Sequence, residues 1–304
     1  MTTAVIGASG QLGTDLPKFL SGEVVSIRHS DMELTDSDSI NSCLDRIRPE
    51  VVINTAAYNL VDKAEDEGHQ AMAVNFLGPA RVARWCLEND ATLVHFSTDY
   101  VFGALSFEAL TNNPQEPVAS SPRREIDLAV PGSIYAQSKL AGENMVRSIC
   151  RRHFVIRTCG LYGVAATRGV GKGNFVETML LLGAERDELA VVNDQHCTPT
   201  ATRDLAQATA ELITTEKYGL YHATNSGATT WHDLAAEIFR QAKIDVKLRP
   251  LTTEEFGAKA ARPAYSVLNC QKLESAIGRP MPAWQDALRQ YLIDRTQNLA
   301  TDQR

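Results

Sequence analysis

The chain has no run of apolar residues approaching the roughly 18 needed to cross a bilayer as a helix, so no membrane-spanning helix organises it. Its first residues, MTTAVIGASG, lack the charged segment and following apolar stretch of a secretory leader. Lysine and arginine form no basic run and the formal net charge is −7, which disfavours non-specific nucleic-acid binding. The six cysteines (Cys43, Cys86, Cys150, Cys159, Cys197 and Cys270) include no CxxC pair, and the histidines show no HExxH spacing. That pattern excludes a disulfide framework and a zinc site, and it reads as reduced thiols in a cytoplasmic protein without a structural metal. What is present is ordinary for a globular chain: 44% apolar and 22% charged over 304 residues, enough for one large domain or two modest ones.

The first apolar run, residues 3–6, meets Gly7-Ala-Ser-Gly10-Gln11-Leu12-Gly13, and a helix-compatible segment over 11–20 follows. Strand, glycine turn and helix start together make a phosphate cradle, because glycine allows close backbone approach and the helix presents free N–H groups to an anion. The second strand, 23–27, ends where dinucleotide folds often place an acid for the ribose 2′-hydroxyl. Here Arg28-His29-Ser30 stands instead. A guanidinium suits a 2′-phosphate, so NADPH is expected, with NADH left open.

A helix over 36–47, a strand over 51–54 running into Thr55-Ala56-Ala57-Tyr58, a helix over 67–88 carrying Asn75, and a strand over 92–96 continue the alternation. This predicts an α/β fold, a Rossmann-type doubly wound parallel sheet. Residues 103–132 are polar and carry Pro114, Pro117, Pro122 and Pro131, a connection long enough to suggest a lid. Beyond it come a helix ending near 151, a strand at 154–158, a glycine-rich loop at 165–173, helices at 174–182 and 203–214 and a strand at 219–223. Helices at 231–242, 271–277 and 284–295 close the chain. Because the alternation fades after residue 223, the expected division is a dinucleotide-binding domain (1–158 and 189–222) and a smaller substrate-binding lobe (159–188 and 223–304).

Two short stretches carry the chemistry. Tyr135 and Lys139, in YAQSK, are four apart and share a helix face. A phenol is a poor acid at neutral pH, and a neighbouring ammonium is expected to bring its pKa down. Ser97-Thr98-Asp99 ends the fourth strand, and the Thr98 hydroxyl is placed to hold a substrate carbonyl against the tyrosine.

The motifs GASGQLG, VVINTAAY with VDKAEDE, STDYVFG, YAQSKLAGE, RTCGLYG, NDQ..TPT, GLYHATNSG and RPAYSVL occur in that order along essentially the whole chain. Their series resembles the extended short-chain dehydrogenase/reductases, and within them the dTDP-4-dehydrorhamnose reductases. The resemblance implies a cytoplasmic NADPH-dependent reductase of the C4 keto group of a nucleotide-linked 4-keto-6-deoxy sugar, with a homodimer left open. It implies Thr98, Tyr135 and Lys139 as catalytic residues. Gly7, Gly10, Gln11, Leu12 and Gly13 fall at the pyrophosphate loop, Arg28 at the ribose, Glu33-Leu34 on the adenine side, and Ala56, Ala57 and Tyr58 along the cofactor. Asp99 and Tyr100 are implied at the sugar, and Asn174, Phe175 and Arg262 at the nucleotide of the substrate.

Departures from the family pattern bear on the sugar. RTCGLYG places Gly160 where the reductases carry tryptophan, YGRSK reads YAQSK, and the loop after STDYVFG is longer. Some relatives hold magnesium between carboxylates at a dimer interface; Asp15 matches one, but Arg203 falls at another, so no metal is expected. A non-catalytic NADP-binding regulatory subunit and a nucleotide-sugar epimerase or dehydratase of the same fold are the other classes such a chain fits.

Overall fold

The computed structural model describes residues 1–103, 121–168 and 173–302. Six parallel strands form its central sheet: β1 (Thr2–Ile6), β2 (Glu23–Ile27), β3 (Val51–Asn54), β4 (Thr92–Thr98), β5 (His153–Thr158) and β6 (Gly219–His222). Their spatial order is β2-β1-β3-β4-β5-β6. The chain steps outward from β1 to β2 and then returns past β1 to β3, so the winding reverses between β1 and β3. In open sheets, the crevice beyond the strand ends at such a reversal is where ligands bind. The doubly wound parallel sheet expected from the alternation is what the chain forms.

Both faces of the sheet are covered, which is why β3 is buried at all four residues and reads VVIN without polar alternation. On one face α2 (Ser37–Ile47), α4 (Gly78–Glu88) and α5 (Ile134–Ile149) contribute Ile40, Leu44, Val82, Trp85 and Val146 to a core with Val52 and Leu93. On the other, α1 (Gln11–Asp15) and α7 (Thr202–Ile213) pack Leu12, Leu205 and Leu212 against Val5, Ile53 and Ile156. A third cluster joins Tyr162 to Val176 and Leu180 of α6 (Phe175–Glu185), Leu234 and Ile238 of α8 (Trp231–Ala242), and Leu288 of α9 (Trp284–Asp302). Glu188–Val192 pairs in parallel with Lys247–Leu251, outside the central sheet. No helix among the described residues is long and apolar enough to cross a membrane.

Several element limits differ from the sequence expectation for identifiable reasons. The first helix stops at Asp15 and continues only as a 3₁₀ turn over Leu16–Lys18. Pro17 has no N–H to donate to the helical ladder. The helix expected over 67–88 is three segments, α3 (Gly68–Met72), a π-helical stretch Ala73–Leu77, and α4. The strand 92–96 runs on to Thr98 because Ser97 and Thr98 still pair with Arg157 and Thr158 of β5. The strand Lys247–Leu251 was not expected, and its alternation is weak because it carries Pro250 at the edge of a two-stranded ribbon. Most of the expected lid, residues 104–120, lies outside the described residues, as do 169–172 of the glycine-rich loop.

The π segment has a definite task. Its Asn75 is 1% exposed and faces the strand ends. Asn75 Oδ1 accepts from Tyr58 N at 2.8 Å, and Nδ2 donates to Tyr58 O at 2.9 Å and to Ser138 Oγ on α5 at 3.0 Å. One amide thus replaces a strand partner for the loop after β3 and ties that loop to α5. Asn75→Ala leaves both backbone groups of Tyr58 without this partner, a loss of about 1–3 kcal/mol per stranded buried group. The expected result is a lower urea midpoint with unchanged slope; a midpoint equal to wild type would show the amide to be dispensable.

Candidate active site

The carboxyl end of β4 and the first turns of α5 build the site. Ser133 caps α5, its Oγ accepting from Ala136 N at 3.3 Å, and Ile134 N donates to Glu65 Oε1 at 2.9 Å. Two of the free N–H groups of the helix start are thereby satisfied, and Tyr135 is fixed in the first turn. One turn later Lys139 is 3% exposed, and its Nζ donates to the Phe96 carbonyl at 2.6 Å. Thr98 Oγ1 donates to Asp99 Oδ1 at 3.2 Å and accepts from Tyr100 N at the same distance. The Tyr135 phenol is within hydrogen-bonding reach of Thr98, and its ring meets Tyr100 edge-on at 6.0 Å.

The electrostatics differ from the sequence expectation in one respect. The spacing predicts that Lys139 lowers the pKa of Tyr135, but burial pushes the phenol up to about 12, against a smaller lowering by the Thr98 hydrogen bond. The same burial pulls the Lys139 ammonium down to about 8, opposed by the carboxylate of Glu143. At neutral pH the pair therefore stands as a protonated phenol one turn from a charged amine. Asp99 is pushed up to about 6 by burial, although hydrogen bonds from Ser266 Oγ (2.5 Å), Cys159 and Thr98 favour its charged form. The Cys159 thiol is held well above its usual range, by its hydrogen bond with Cys197 and by burial. None of these supporting groups stood out in the sequence. Only Glu143, the last residue of YAQSKLAGE, carried a signal, since it shares the helix face of Lys139 at i+4.

A cleft of about 380 Å³ opens in front of these residues, lined by Thr98, Asp99, Tyr100, Tyr135 and Lys139. Its far wall is Gly10, Gln11, Leu12 and Gly13, with Asn174 and Phe175 at the side. The glycine turn fits a bound pyrophosphate. A methyl on Gly13 would stand 2.4 Å from the Gly7 carbonyl oxygen, so the turn is as tight as backbone allows, and no side chain caps the start of α1. Ala57 lines the same cleft, while Ala56 N is turned to Asn54 Oδ1 at 3.1 Å and Tyr58 is held by Asn75.

Arg28, Glu33 and Leu34 do not line this cleft. Arg28 is exposed at the end of β2, and its N–H donates to Asp31. Glu33 accepts from Thr35 N and Oγ1 at 2.8 and 2.7 Å, whereas Leu34 is a core residue, 5% exposed. Arg262 is hydrogen-bonded to Tyr100 of the cleft, and its guanidinium grips Asp62 through two bonds of 3.0 and 2.7 Å. Asn174 joins Gln11, donating to its Oε1 at 2.9 Å, and caps α6 through Glu177 N. At Gly160, with φ +52°, an added methyl would lie 3.2 Å from Trp231 Cη2, and the Trp231 ring packs on Phe175 at 4.9 Å. Trp231, not marked as a site residue by the sequence, thus joins the expected Phe175 in the cleft wall.

A larger cleft, about 480 Å³, lies behind α1 and includes Asp15 and Arg203. Both oxygens of the Asp15 carboxylate are taken, by Lys18 Nζ and by Thr202 Oγ1, each at 2.5 Å. Arg203 brings a cation and pairs with Asp294 at 2.9 Å. These residues do not fit a divalent ion, and no group of three or more potential metal ligands occurs among the described residues.

Comparison with known proteins finds relatives over almost the whole chain. The family model for the RmlD substrate binding domain matches residues 1–297. A dTDP-4-dehydrorhamnose reductase of Streptomyces griseus is 37% identical over 294 residues, covering 93% of this chain and 90% of the relative. The crystal structure of a dTDP-4-dehydrorhamnose reductase from Clostridium acetobutylicum superposes with a TM-score of 0.88 at 39% identity, over 98% of this chain and 100% of the other. That of dTDP-4-dehydrorhamnose reductase from Bacillus anthracis, in complex with NADP, gives 0.86 at 35% identity, over 96% and 99%.

Asp99 has a measurable signature. Its folded-state pKa, about 6, exceeds the ordinary 3.8, so the folded chain holds a proton that the unfolded chain has released across that window. The stability this lends is complete below about pH 4 and is lost as pH rises through about 6. Relative to Asp99→Asn, the wild-type protein is expected to lose up to about 3 kcal/mol between those limits in denaturant titrations. A difference that does not change with pH would show that Asp99 titrates normally.

Proposed function

Since the chain belongs to the RmlD substrate-binding-domain family of dTDP-4-dehydrorhamnose reductases, we propose that it reduces the C4 keto group of a nucleotide-linked 4-keto-6-deoxy sugar. The substrate assigned is dTDP-4-dehydro-L-rhamnose, the product dTDP-L-rhamnose, the reductant NADPH and the compartment the cytoplasm. The observation that carries this reading is the convergence of a protonated phenol, a buried ammonium and a hydroxyl on one cleft that also contains the glycine turn. An intact proton donor at that place favours turnover over a purely regulatory role.

Bound NADPH supplies the hydride that reaches C4 of the sugar. The protein's own residues do the rest. Thr98, at the end of β4, orients the carbonyl oxygen towards Tyr135, which gives it the phenolic proton as the new C–H bond forms. With a pKa near 12 the phenol is fully loaded as an acid at neutral pH. Lys139 offsets the phenolate left behind until solvent returns the proton. Asp99, fixed by Ser266, accepts a hydrogen bond from the Thr98 hydroxyl before substrate binds, and the hydroxyl turns that one proton to the carbonyl oxygen in the complex. The glycine turn receives the pyrophosphate and Arg28 the 2′-phosphate. Gly7 and Ala56 support that seat from behind, and Glu33 and Leu34 shape its adenine side. Tyr100 and the Phe175–Trp231 wall border the sugar. Arg262, released from Asp62, is the assigned grip on the substrate's nucleotide, with Asn174 beside it. The lobe that carries these last groups is 159–188 and 223–304.

Two measurements test this. NADPH consumption with dTDP-4-keto-6-deoxy-L-mannose is expected to be rapid in the wild type and to fall about 10²- to 10⁴-fold in Tyr135→Phe; undiminished turnover in the variant removes Tyr135 as the acid. The rate should also decline as pH rises past about 8, because Lys139 loses its charge there. A rate that holds to pH 10 would exclude that role.

A further inference from the structure

Glu143 lies one turn beyond Lys139 on α5 and takes no part in the proton path described above. Its side chain is 0% exposed. Arg157 on β5 donates from Nε to both carboxylate oxygens (2.9 and 3.2 Å) and from Nη2 to Oε2 (2.7 Å), while Ser97 Oγ donates to Oε1 at 2.5 Å. Arg157 is 3% exposed, its guanidinium 5.1 Å from the Phe102 ring and its Nη1 3.5 Å from His222 Nε2. A buried pair of this kind is weak evidence for stability, because removing two charges from water offsets most of their attraction. Its placement is more informative than its presence. Phe96 holds the ammonium of Lys139 by its carbonyl, and the next residue, Ser97, holds the carboxylate of Glu143 by its hydroxyl. Consecutive residues of one strand thus set the spacing of the two charges.

The other charged and titratable groups around Lys139 do not replace Glu143. On α5, Tyr135 is neutral at working pH. On β4, His95 is kept uncharged by burial and by Lys139 itself. Asp99, just past β4, directs its carboxylate to Thr98 and Ser266. Cys159, past β5, stays a thiol, and beyond Arg157 burial holds His222 neutral.

We propose that Glu143, oriented by Arg157 and Ser97, is a positioning residue that keeps Lys139 charged one turn from Tyr135 and so sets the upper pH limit of turnover. The proposal rests on the role given to Lys139 above. Glu143→Gln keeps the side-chain size, removes the negative charge and leaves Arg157 uncompensated. The alkaline limb of kcat/KM is expected to move down by roughly one pH unit or more, with KM for the sugar unchanged. The Lys139 side-chain NMR signal, assigned with Lys139→Met, should titrate at a correspondingly lower pH in the protein without substrate.

The double variant Glu143→Gln/Arg157→Met removes both buried charges and is expected to recover thermal stability while the limb stays displaced. Ser97→Ala deletes one hydrogen bond and no charge, keeps the fold, and is expected to shift the limb less in the same direction. A limb and an amine titration that match wild type in the folded double variant would reduce the pair to a structural strut and overturn the proposal. If the wild type reduces no 4-keto sugar, the amine titration still decides the role of Glu143, and the substrate assignment fails separately.

Discussion

Holding a charged amine out of water is the constraint on which the rest of the site depends. An ammonium moved into a protein interior carries a penalty of several kcal/mol unless acceptors and a counter-charge meet it. Here the Phe96 carbonyl accepts from it and Glu143 stands one turn away. Both requirements press on the same short stretch of β4. That strand must run on to Thr98, with Ser97 turned to the carboxylate and Thr98 to the cleft, and α5 must begin close enough for its first two turns to cover the strand end. The Ser133 cap, the Glu65 bond to Ile134 and the Asn75 bridge to Ser138 all act on the placement of α5. Their positions follow from the position that Lys139 requires.

The elements with local signatures were legible. The glycine turn shows in sequence because its constraint lies within seven residues, and the Tyr135–Lys139 face shows because helical spacing is local. The parallel sheet was legible from alternation and from the apolar run of β3. What the sequence concealed was set by long-range packing. Ser266 reaches Asp99 from 167 positions away, and Trp231 meets Gly160 from the start of α8. The direction of the Tyr135 shift was misread for the same reason. Spacing reveals the neighbouring cation, but the amount of water excluded by the surrounding elements decides which effect prevails. Leu34, expected on the adenine side, also has a packing role that its local sequence does not reveal, since its side chain meets the start of α4.

The glycine turn and the aromatic wall of the cleft meet at one atom. Gln11, inside the glycine turn, offers its Oε1 to Gly163 N at 2.8 Å and to Asn174 Nδ2 at 2.9 Å. Asn174 in turn caps α6, whose first residue, Phe175, packs tilted against Trp231 beside Gly160. Tyr291 and Arg295 reach the same helix through Glu177, at 2.6 and 2.7 Å. Gln11 Oε1 therefore braces the glycine turn and, through Asn174, also fixes the start of α6 and the aromatic wall of the cleft. Because that one acceptor serves two elements, the turn and the wall are placed relative to each other by a single side chain, which neither element's own sequence would reveal.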